Sequence, residues 1–205
     1  EMDALVNFYH SYHWEETQFP FEYVEGFNKS LQGLTVGSKN ILKIMIDNGV
    51  TIPIFNVGDG IDHWVKIKEF NSEELNYRCG YSKSFRFLHV SSCFPRKGAD
   101  ILLKSYGKSF TKKDDVTLII KTFKNPHNTI HELLKKERSL NANYPEVVII
   151  EDDFSAEKLK SLYSICDCLI APSRGEGFGL PLAEAMLSGL GVITTNWGGQ
   201  LDFCN

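Results

Sequence analysis

The second half of the chain alternates short, almost continuously apolar runs with longer stretches whose apolar residues recur at helical spacing. The apolar runs predict five strands, at 86–90, 116–123, 146–150, 167–173 and 191–195. The intervening stretches predict four helices, at about 99–110, at 129–140, after a Ser155 N-cap as far as Cys166, and at 180–189. Buried strands that alternate with helices are typical of a parallel sheet covered on both faces.

The first half of the chain is less regular. Its apolar positions predict strands at 4–10, 33–38 and 51–58, a helix at 19–30 that begins at Pro20, and a second helix capped by Ser38. The polar segment that follows, as far as about Ser84, predicts a linker. We therefore place a domain boundary near residue 84. Residues 1–83 are too few for a complete doubly wound domain, so we expect them to be the later part of one.

Composition narrows the class of protein. A chain of 205 residues with 42% hydrophobic and 23% charged residues is an ordinary soluble globular protein of one or two domains. The net charge of −4 argues against a general affinity for nucleic acid or anionic membranes. The five cysteines form no CxxC pair, so we expect reduced thiols in a cytoplasmic protein. Peripheral association with a membrane stays open, and the first residue, Glu1, suggests a piece of a longer protein.

The stretch PSRGEGFGLPLAEAML, at 172–187, carries the most informative chemistry. It follows the fourth strand of the second half, and ligands of parallel sheets bind outside the carboxyl ends of the strands. Its glycines allow a ligand to approach the backbone closely, and Pro181 suits the first turn of a helix. Amides at a helix start, together with the helix dipole, favour phosphate. The amides concerned are those of Gly177, Phe178, Gly179 and Leu180.

Two carboxylates and three cations surround this predicted phosphate site. Glu184, about one turn inside the helix, is placed to accept hydrogen bonds from a ribose, and Glu176, on the loop, from sugar hydroxyls. Arg96 and Lys97 follow the first strand of the second half and therefore open at the same edge of the sheet. Arg174 is a third candidate cation.

Each of these motifs also has a plainer interpretation. A glycine-rich turn also serves to pack a helix tightly on a sheet, with its glutamates solvated. GEGFG contains GxGxG, but the NAD fingerprint follows the first strand of its domain and needs an acid after the next strand, where this chain has Thr194–Asn196. The HSYHWEE cluster fits no standard metal motif, and Glu151–Asp153 is interpreted as a solvated strand end.

The motifs resemble those of a known family. SRGEGFGLPLAEAMLSGLGVITT resembles the donor-site signature of the retaining glycosyltransferases of family four, whose E-x7-E motif matches Glu176 and Glu184. FLHVSSCFPRKGADILLKSY resembles the opening of that family's C-terminal domain, with Lys97 at its lysine position. GGQLD, at 198–202, matches its glycine pair and acid, and TVGSKNILK and FYHSYHWEE resemble segments of its N-terminal domain.

The resemblance implies an α/β protein of the GT-B type, with two Rossmann-like domains. Residues 84–205 would form the nucleotide-sugar (donor) binding domain without its last helices, and residues 1–83 part of the acceptor-side domain with the hinge. The implied reaction moves a sugar from a nucleotide diphosphate sugar to an acceptor hydroxyl with retention of configuration, in polysaccharide or glycoconjugate biosynthesis. It needs no cofactor and no metal, and the acceptor is an unidentified glycan, lipid or protein.

The resemblance also implies residue roles. Lys97 would contact the diphosphate, Glu176 the donor sugar and Glu184 the ribose. A histidine of the N-terminal domain would touch the sugar near the reacting carbon, and His13 is preferred to His10. The implied catalytic residues are His13, Lys97 and Glu176, and the implied donor-binding residues are Arg96, Lys97, Gly177, Phe178, Gly179, Leu180 and Glu184.

The chain departs from the family pattern at two positions. Ser92 stands where the family usually has an arginine, and Arg96 is a candidate replacement for it. Lys121 ends a strand that in many members ends in glycine. Two rival functions therefore stay open: a sugar-nucleotide epimerase or hydrolase that shares the GT-B fold, and an inactive binding subunit. Whether this piece is active alone is open as well.

Overall fold

The computed structural model describes residues 6–68, 73–78 and 83–204. These residues form two compact units. The first contains the chain as far as Gly60, together with Gly175–Leu180 and the residues from Asn196 onwards. The second contains Ile61–Arg174 and Pro181–Thr195. The glycine-rich loop, Gly175–Leu180, thus belongs to the first unit, although in sequence it stands between two segments of the second.

The first unit is a parallel three-stranded sheet with two helices. Its strands, in sheet order, are β1 (Phe8–Tyr12), β2 (Gly33–Val36) and β3 (Ile54–Asn56), and its helices are α1 (Phe21–Ser30) and α2 (Lys39–Asp47). The core lies between sheet and helices and contains Phe19, Val24, Leu34, Val36, Ile41, Met45 and Val50.

Local signals account for most of these elements. The predicted cap at Ser38 is confirmed, because its hydroxyl accepts a hydrogen bond of 3.3 Å from the amide of Ile41. The predicted start of α1 at Pro20 is confirmed as well. The strand predicted at 4–10 is wrong in its limits, since β1 runs from Phe8 to Tyr12, and the start of that prediction lies outside the described residues. The register shifts between Tyr9 and Tyr12, where β1 advances by three residues while β2 advances by two, and Ser11 within this bulge has a φ of 51°.

The second unit is a five-stranded parallel sheet, as the sequence pattern predicted. Its strands are β4 (Phe85–Val90), β5 (Val116–Lys121), β6 (Glu146–Ile150), β7 (Cys168–Ala171) and β8 (Gly191–Thr194), in the order β6-β5-β4-β7-β8. The four predicted helices are α5 (Ala99–Ser109), α6 (Ile130–Leu140), α7 (Ala156–Ser164) and α8 (Leu180–Leu187). The hydroxyl of Ser155 caps α7 as predicted. Phe87, Leu118 and Ile120 pack under α5 and α6 in the main core.

The predicted linker is partly helical, so that prediction is wrong in part. It contains α3 (Asp62–Lys66) and α4 (Glu73–Arg78). Trp64 and Leu75 are 2% and 0% exposed, and these two buried side chains anchor the short helices. The linker's other parts, at 69–72 and 79–82, lie outside the described residues, as does Cys79. The domain boundary near residue 84 stays a prediction.

The strand order creates a topological switch point in the second unit. β4 has β5 on one side and β7 on the other, so the chain leaves β4 in one direction across the sheet and later returns to its opposite side. In open parallel sheets such a switch point opens a crevice at the carboxyl ends of the strands. The loops after β4 and β7 border that crevice. Within the described residues, no helix has the length and apolar character needed to cross a membrane.

Candidate functional site

The loop after β4 carries Lys97 and packs against the loop after β7. Pro95–Lys97 form a 3-10 helix, and Gly98 follows with a φ of 70°. A Cβ atom at Gly98 would lie 2.1 Å from the carbonyl oxygen of Pro172. Only glycine allows the two backbones to approach this closely, so the position of Lys97 is tied to the loop after β7.

Arg174 braces the same loop from the other side. Its guanidinium donates to both carboxylate oxygens of Asp100, at 3.0 and 2.8 Å, and to the carbonyl oxygen of Pro95 at 2.5 Å. Its amide donates to the carbonyl oxygen of Arg96 at 2.7 Å. The hydrogen bond from Arg174 lowers the pKa of Asp100 below its usual value. Arg174, a candidate cation for the phosphates from sequence, is thus paired with a carboxylate in the structure.

A cavity of about 380 Å³ opens at the carboxyl ends of β4, β5 and β6. It brings together Lys97, Ser92 and Lys121, which are the predicted diphosphate cation and the two positions that depart from the family pattern. Its other lining residues are Val90, Ser91, Thr122, Phe123, Asp153, Phe154, Leu159 and Pro181. This cavity thus contains two lysine cations at the carboxyl ends of the strands, where ligands of parallel sheets bind.

Arg96 lines a different cavity from Lys97. That second cavity, of about 440 Å³, also contains Phe94, His127 and the Arg174–Asp100 pair. Neighbours in sequence therefore face different spaces, because the 3-10 turn rotates successive side chains by roughly a third of a turn.

Lys121 places a buried cation in the first cavity. The residue is 9% exposed, its ammonium donates to the carbonyl oxygen of Thr122 at 2.8 Å, and it lies 5.1 Å from the centre of the Phe154 ring. Burial lowers the pKa of Lys121, and the charges of Asp153 and Asp152 oppose that shift.

Glu184 lies on α8 and accepts a hydrogen bond of 2.9 Å from the hydroxyl of Tyr163 on α7. Burial raises the pKa of Glu184, while the Tyr163 hydrogen bond and the charge of His63 lower it. The carboxylate is therefore partly buried and already has a protein partner.

In the first unit, three segments hold the glycine-rich loop through its backbone. The Ser38 hydroxyl donates to the carbonyl oxygen of Gly177 at 2.6 Å, and the Gly199 amide donates to that of Glu176 at 2.8 Å. A Cβ atom at Gly175 would lie 2.7 Å from the carbonyl oxygen of Glu15. Gly179 adopts a φ of 97°, which favours glycine, and the loop continues directly into the first turn of α8, where the amides of a helix have no partner within the helix.

His13 lies beside this loop. A Cβ atom at Gly177 would be 3.6 Å from its Nδ1, and its Nε2 is 3.4 Å from a carboxylate oxygen of Asp59. His10 instead packs its ring against Phe8 on β1, with 5.1 Å between ring centres. Glu176 is 6% exposed. The structure therefore brings His13 and the glycine-rich loop together, while their roles stay predictions.

The glycine pair and acid at 198–202 also have structural partners. A Cβ atom at Gly199 would lie 1.7 Å from the carbonyl oxygen of Gly177, so only glycine fits there. The Asp202 carboxylate accepts from the Lys39 amide at 2.8 Å and from the Asn56 side chain at 3.2 Å. This segment thus links the glycine-rich loop to the N-terminus of α2.

Sequence reasoning missed three contributors to the site. It recognised Ser38 only as a cap, counted Tyr163 only as an apolar helix position, and gave Asp100 no role. The position of Ser38 before a helix predicts its role as a cap. The sequence does not predict the contacts of the three residues, because their partners are distant in sequence. Among the residues that the structure describes, no three His, Cys, Asp or Glu side chains are grouped as metal ligands. Cys93, Cys166, Cys168 and Cys204 are not joined in disulfides.

The family model of the group 1 glycosyl transferases matches residues 80–205, more than half of the chain. The chain belongs to the group 1 glycosyl transferases. Among curated glycosyltransferases, it is 30% identical to the serotype-specific mannosyltransferase WbdA of Escherichia coli over 145 residues, 70% of this chain and 17% of that protein. It is 33% identical to the O-antigen biosynthesis glycosyltransferase WclY of Escherichia coli over 129 residues, 59% of this chain and 33% of that protein.

Solved structures show the same fold for this glycosyl transferase. The structure of HepE from Anabaena in complex with UDP-glucose matches with a TM-score of 0.75 and 19% identity, over 97% of this chain and 55% of that one. The two parallel sheets are those of the GT-B fold. The chain spans a third or less of the two curated relatives named above and about half of HepE.

Proposed function

We propose that this chain forms the donor-binding part of a retaining glycosyltransferase, which moves a sugar from a nucleotide diphosphate sugar to an acceptor hydroxyl. The observation that carries the proposal is the cavity at the carboxyl ends of β4, β5 and β6, with Lys97 and the start of α8 on its walls. Family membership supports the same reaction class.

The diphosphate is the leaving group of this reaction, and the charge that develops on it must be stabilised. Lys97 supplies a cation, and the amides at the start of α8, with the helix dipole, supply hydrogen-bond donors. Stabilisation of a developing charge by groups already in place is the largest catalytic contribution in many enzymes. The contacts of Gly98 and Arg174 support the proposal because they fix the loop that carries Lys97.

The sugars of the donor are bound by carboxylates and a histidine. Glu184 accepts hydrogen bonds from the ribose, Glu176 binds the donor sugar, and His13 contacts that sugar near the reacting carbon. Each carboxylate offers only acceptors, which match the hydroxyl donors of a sugar. No carboxylate acts as a nucleophile in this scheme.

Calorimetric titration of the intact protein with a panel of nucleotide sugars tests the proposal. UDP-glucose is the first probe, because the matched HepE structure holds it. Micromolar to millimolar binding of at least one nucleotide sugar, with release of the nucleotide when acceptors are supplied, supports the proposal. Release of nucleotide without a glycosylated product favours an epimerase or hydrolase, and a folded protein that binds no nucleotide sugar favours an inactive subunit.

Two glutamate variants separate the proposed roles. We expect Glu184→Ala to weaken nucleotide binding by about tenfold or more, the usual effect of removing a partner from hydrogen bonds to a charged group. Glu176→Ala should reduce transfer far more than it reduces nucleotide affinity. Glu132→Ala, which changes an exposed glutamate on α6, is the matched control. Unchanged affinity and turnover in both site variants would contradict the assignment.

A further inference from the structure

A fully buried tyrosine holds the carboxylate of Glu184. The Tyr163 hydroxyl on α7 donates to Oε2 of Glu184 at 2.9 Å, and the Tyr163 side chain is 0% exposed. A phenol that is buried this deeply needs a hydrogen-bond partner. Its nearer partner is Glu184, a titratable side chain of the proposed donor site, and the carbonyl oxygen of Pro181 lies farther away, at 3.5 Å.

Two other buried tyrosines of the second unit show a different arrangement. The Tyr106 hydroxyl donates to the carbonyl oxygen of Glu146 at 3.0 Å, and the Tyr144 hydroxyl to that of Leu103 at 2.7 Å. Backbone carbonyls are thus sufficient to satisfy a buried phenol in this sheet. The contact of Tyr163 with a carboxylate is therefore not required by packing alone.

Trp64 prevents the Tyr163 ring from moving away. The two ring centres are 5.1 Å apart in an edge-to-face arrangement. The Trp64 indole is itself fixed, because it donates to the Ser188 hydroxyl, just after α8, at 2.9 Å. The short helix α3 thus fastens α7 to the C-terminal end of α8 and holds the Tyr163 hydroxyl beside Glu184 and the carbonyl oxygen of Pro181.

We propose that Tyr163 is a positioning residue for Glu184: its hydroxyl occupies one carboxylate oxygen and so directs the other towards the ribose hydroxyls of the donor. The inference rests on the ribose-binding role proposed above for Glu184. The terminal torsion of a glutamate is broad. A protein hydrogen bond that fixes this torsion before the donor arrives reduces the ordering cost of binding.

The same contact affects the charge of Glu184. An ionised carboxylate offers only acceptors to a ribose diol, whereas a protonated carboxyl group loses part of that acceptor capacity and gains a donor that the diol does not need. Burial raises the pKa of Glu184, and the groups that face it and lower its pKa are Tyr163 on α7 and His63 on α3. Loss of the tyrosine hydroxyl raises the pKa of Glu184 further, so the ionised form is lost at a higher pH.

The test compares Tyr163→Phe with Tyr144→Phe in the intact protein. Both substitutions remove one buried hydroxyl from the second unit and keep the ring. UDP is the probe, and its dissociation constant is measured by calorimetry from pH 5 to pH 8. Because the phosphates of UDP also titrate, the constant for Tyr163→Phe is divided by that for Tyr144→Phe at each pH.

We expect Tyr163→Phe to weaken UDP binding by roughly five- to twentyfold at pH 8, the usual range for a hydrogen bond to a charged group. The ratio should increase as the pH falls, because protonated Glu184 begins to replace the carboxylate in that variant. A ratio that stays near one at every pH would overturn the inference.

Glu184→Ala, measured beside them, separates this inference from the proposed function. If Glu184→Ala weakens UDP binding while the two tyrosine variants behave alike, the positioning role is wrong and the ribose-binding role stands. If Glu184→Ala leaves UDP binding unchanged, both are wrong. Thermal unfolding of each variant confirms that the chain is folded during the titrations.

Discussion

Gly98 couples the loop that carries Lys97 to the loop after β7. It combines a φ of 70° with a Cβ position 2.1 Å from the carbonyl oxygen of Pro172. A side chain there meets two penalties at once, a strained backbone and a clash with an atom that cannot rotate away. Gly189, in the same unit, has a φ of 81° but no heavy atom within 4 Å of its Cβ position, so it bears the first penalty alone.

We therefore expect Gly98→Ala to destabilise the protein more than Gly189→Ala does. The cost of a left-handed conformation is about 1 kcal/mol for alanine. Gly98→Ala adds the displacement of a backbone, which brings the loss to about 3 kcal/mol, and it weakens UDP binding because Lys97 moves. Urea unfolding and calorimetry measure the two effects. Equal losses of stability in the two variants would show that the close approach to Pro172 is not maintained.

At the scale of elements, α2 and α7 begin with the same kind of cap but in different surroundings. Ser38 is 0% exposed, and its hydroxyl both accepts from the Ile41 amide and donates to the carbonyl oxygen of Gly177. Ser155 accepts from the Lys158 amide at an exposed helix end. The first serine thus fixes a helix and the glycine-rich loop together, and the second fixes a helix alone.

This difference predicts unequal effects of the same substitution. Ser155→Ala should cost about 1 kcal/mol, as is usual for a cap. Ser38→Ala should cost about 2 to 3 kcal/mol, because it also leaves the buried carbonyl of Gly177 without this donor. Urea unfolding of the two variants gives the comparison. If Ser38→Ala costs no more than Ser155→Ala, its hydrogen bond to the loop contributes nothing to stability.

Among the elements, the long apolar strands were predictable from the sequence and the short or irregular elements were not. The five strands of the second unit were predictable because burial on both faces makes parallel strands almost continuously apolar. The helices α3 and α4 were not, since they have only five and six residues, too few to show a helical period, and are anchored by the burial of Trp64 and Leu75. The limits of β1 were missed because the irregularity at Ser11 breaks simple alternation.

The candidate site was predictable in its residue types and less so in its contacts. The glycine-rich loop and the lysine after β4 stand out locally, because glycine and charge at strand ends have few structural uses. Ser38 and Tyr163 contribute through partners 139 and 21 positions away, which no local pattern encodes. Arg174 was a plausible phosphate cation until its pairing with Asp100 was visible.

At the scale of the whole molecule, carboxyl groups with shifted pKa values determine how the stability of the fold changes in acid. Among the carboxyl groups in the described part of the chain, hydrogen bonds hold the pKa of four below their usual values, those of Asp100, Asp114, Asp115 and Glu157. A folded-state pKa below the unfolded value contributes stability at neutral pH that is lost as the pH falls through the folded pKa. Glu184 has a raised pKa and acts in the opposite sense. Its buried ionised form destabilises the folded protein, and protonation in acid removes that destabilisation.

Protonation of the four carboxyl groups with lowered pKa values destabilises the fold, and protonation of Glu184 alone stabilises it. We therefore expect the melting temperature to fall as the pH decreases from about 5 to about 3, the range in which carboxyl groups titrate. Asp100→Asn should melt at a lower temperature than the native protein at pH 7 and lose less on acidification, because one of the four groups no longer titrates. Arg174→Gln should have the same effect, since it removes the partner that lowers the pKa of Asp100. The double variant should add little to either single change, because both remove one interaction. The test is the melting temperature of these four proteins, measured between pH 3 and pH 7. If all four lose the same number of degrees on acidification, the Arg174–Asp100 pair braces the loop of Lys97 but does not contribute to the acid response of the fold.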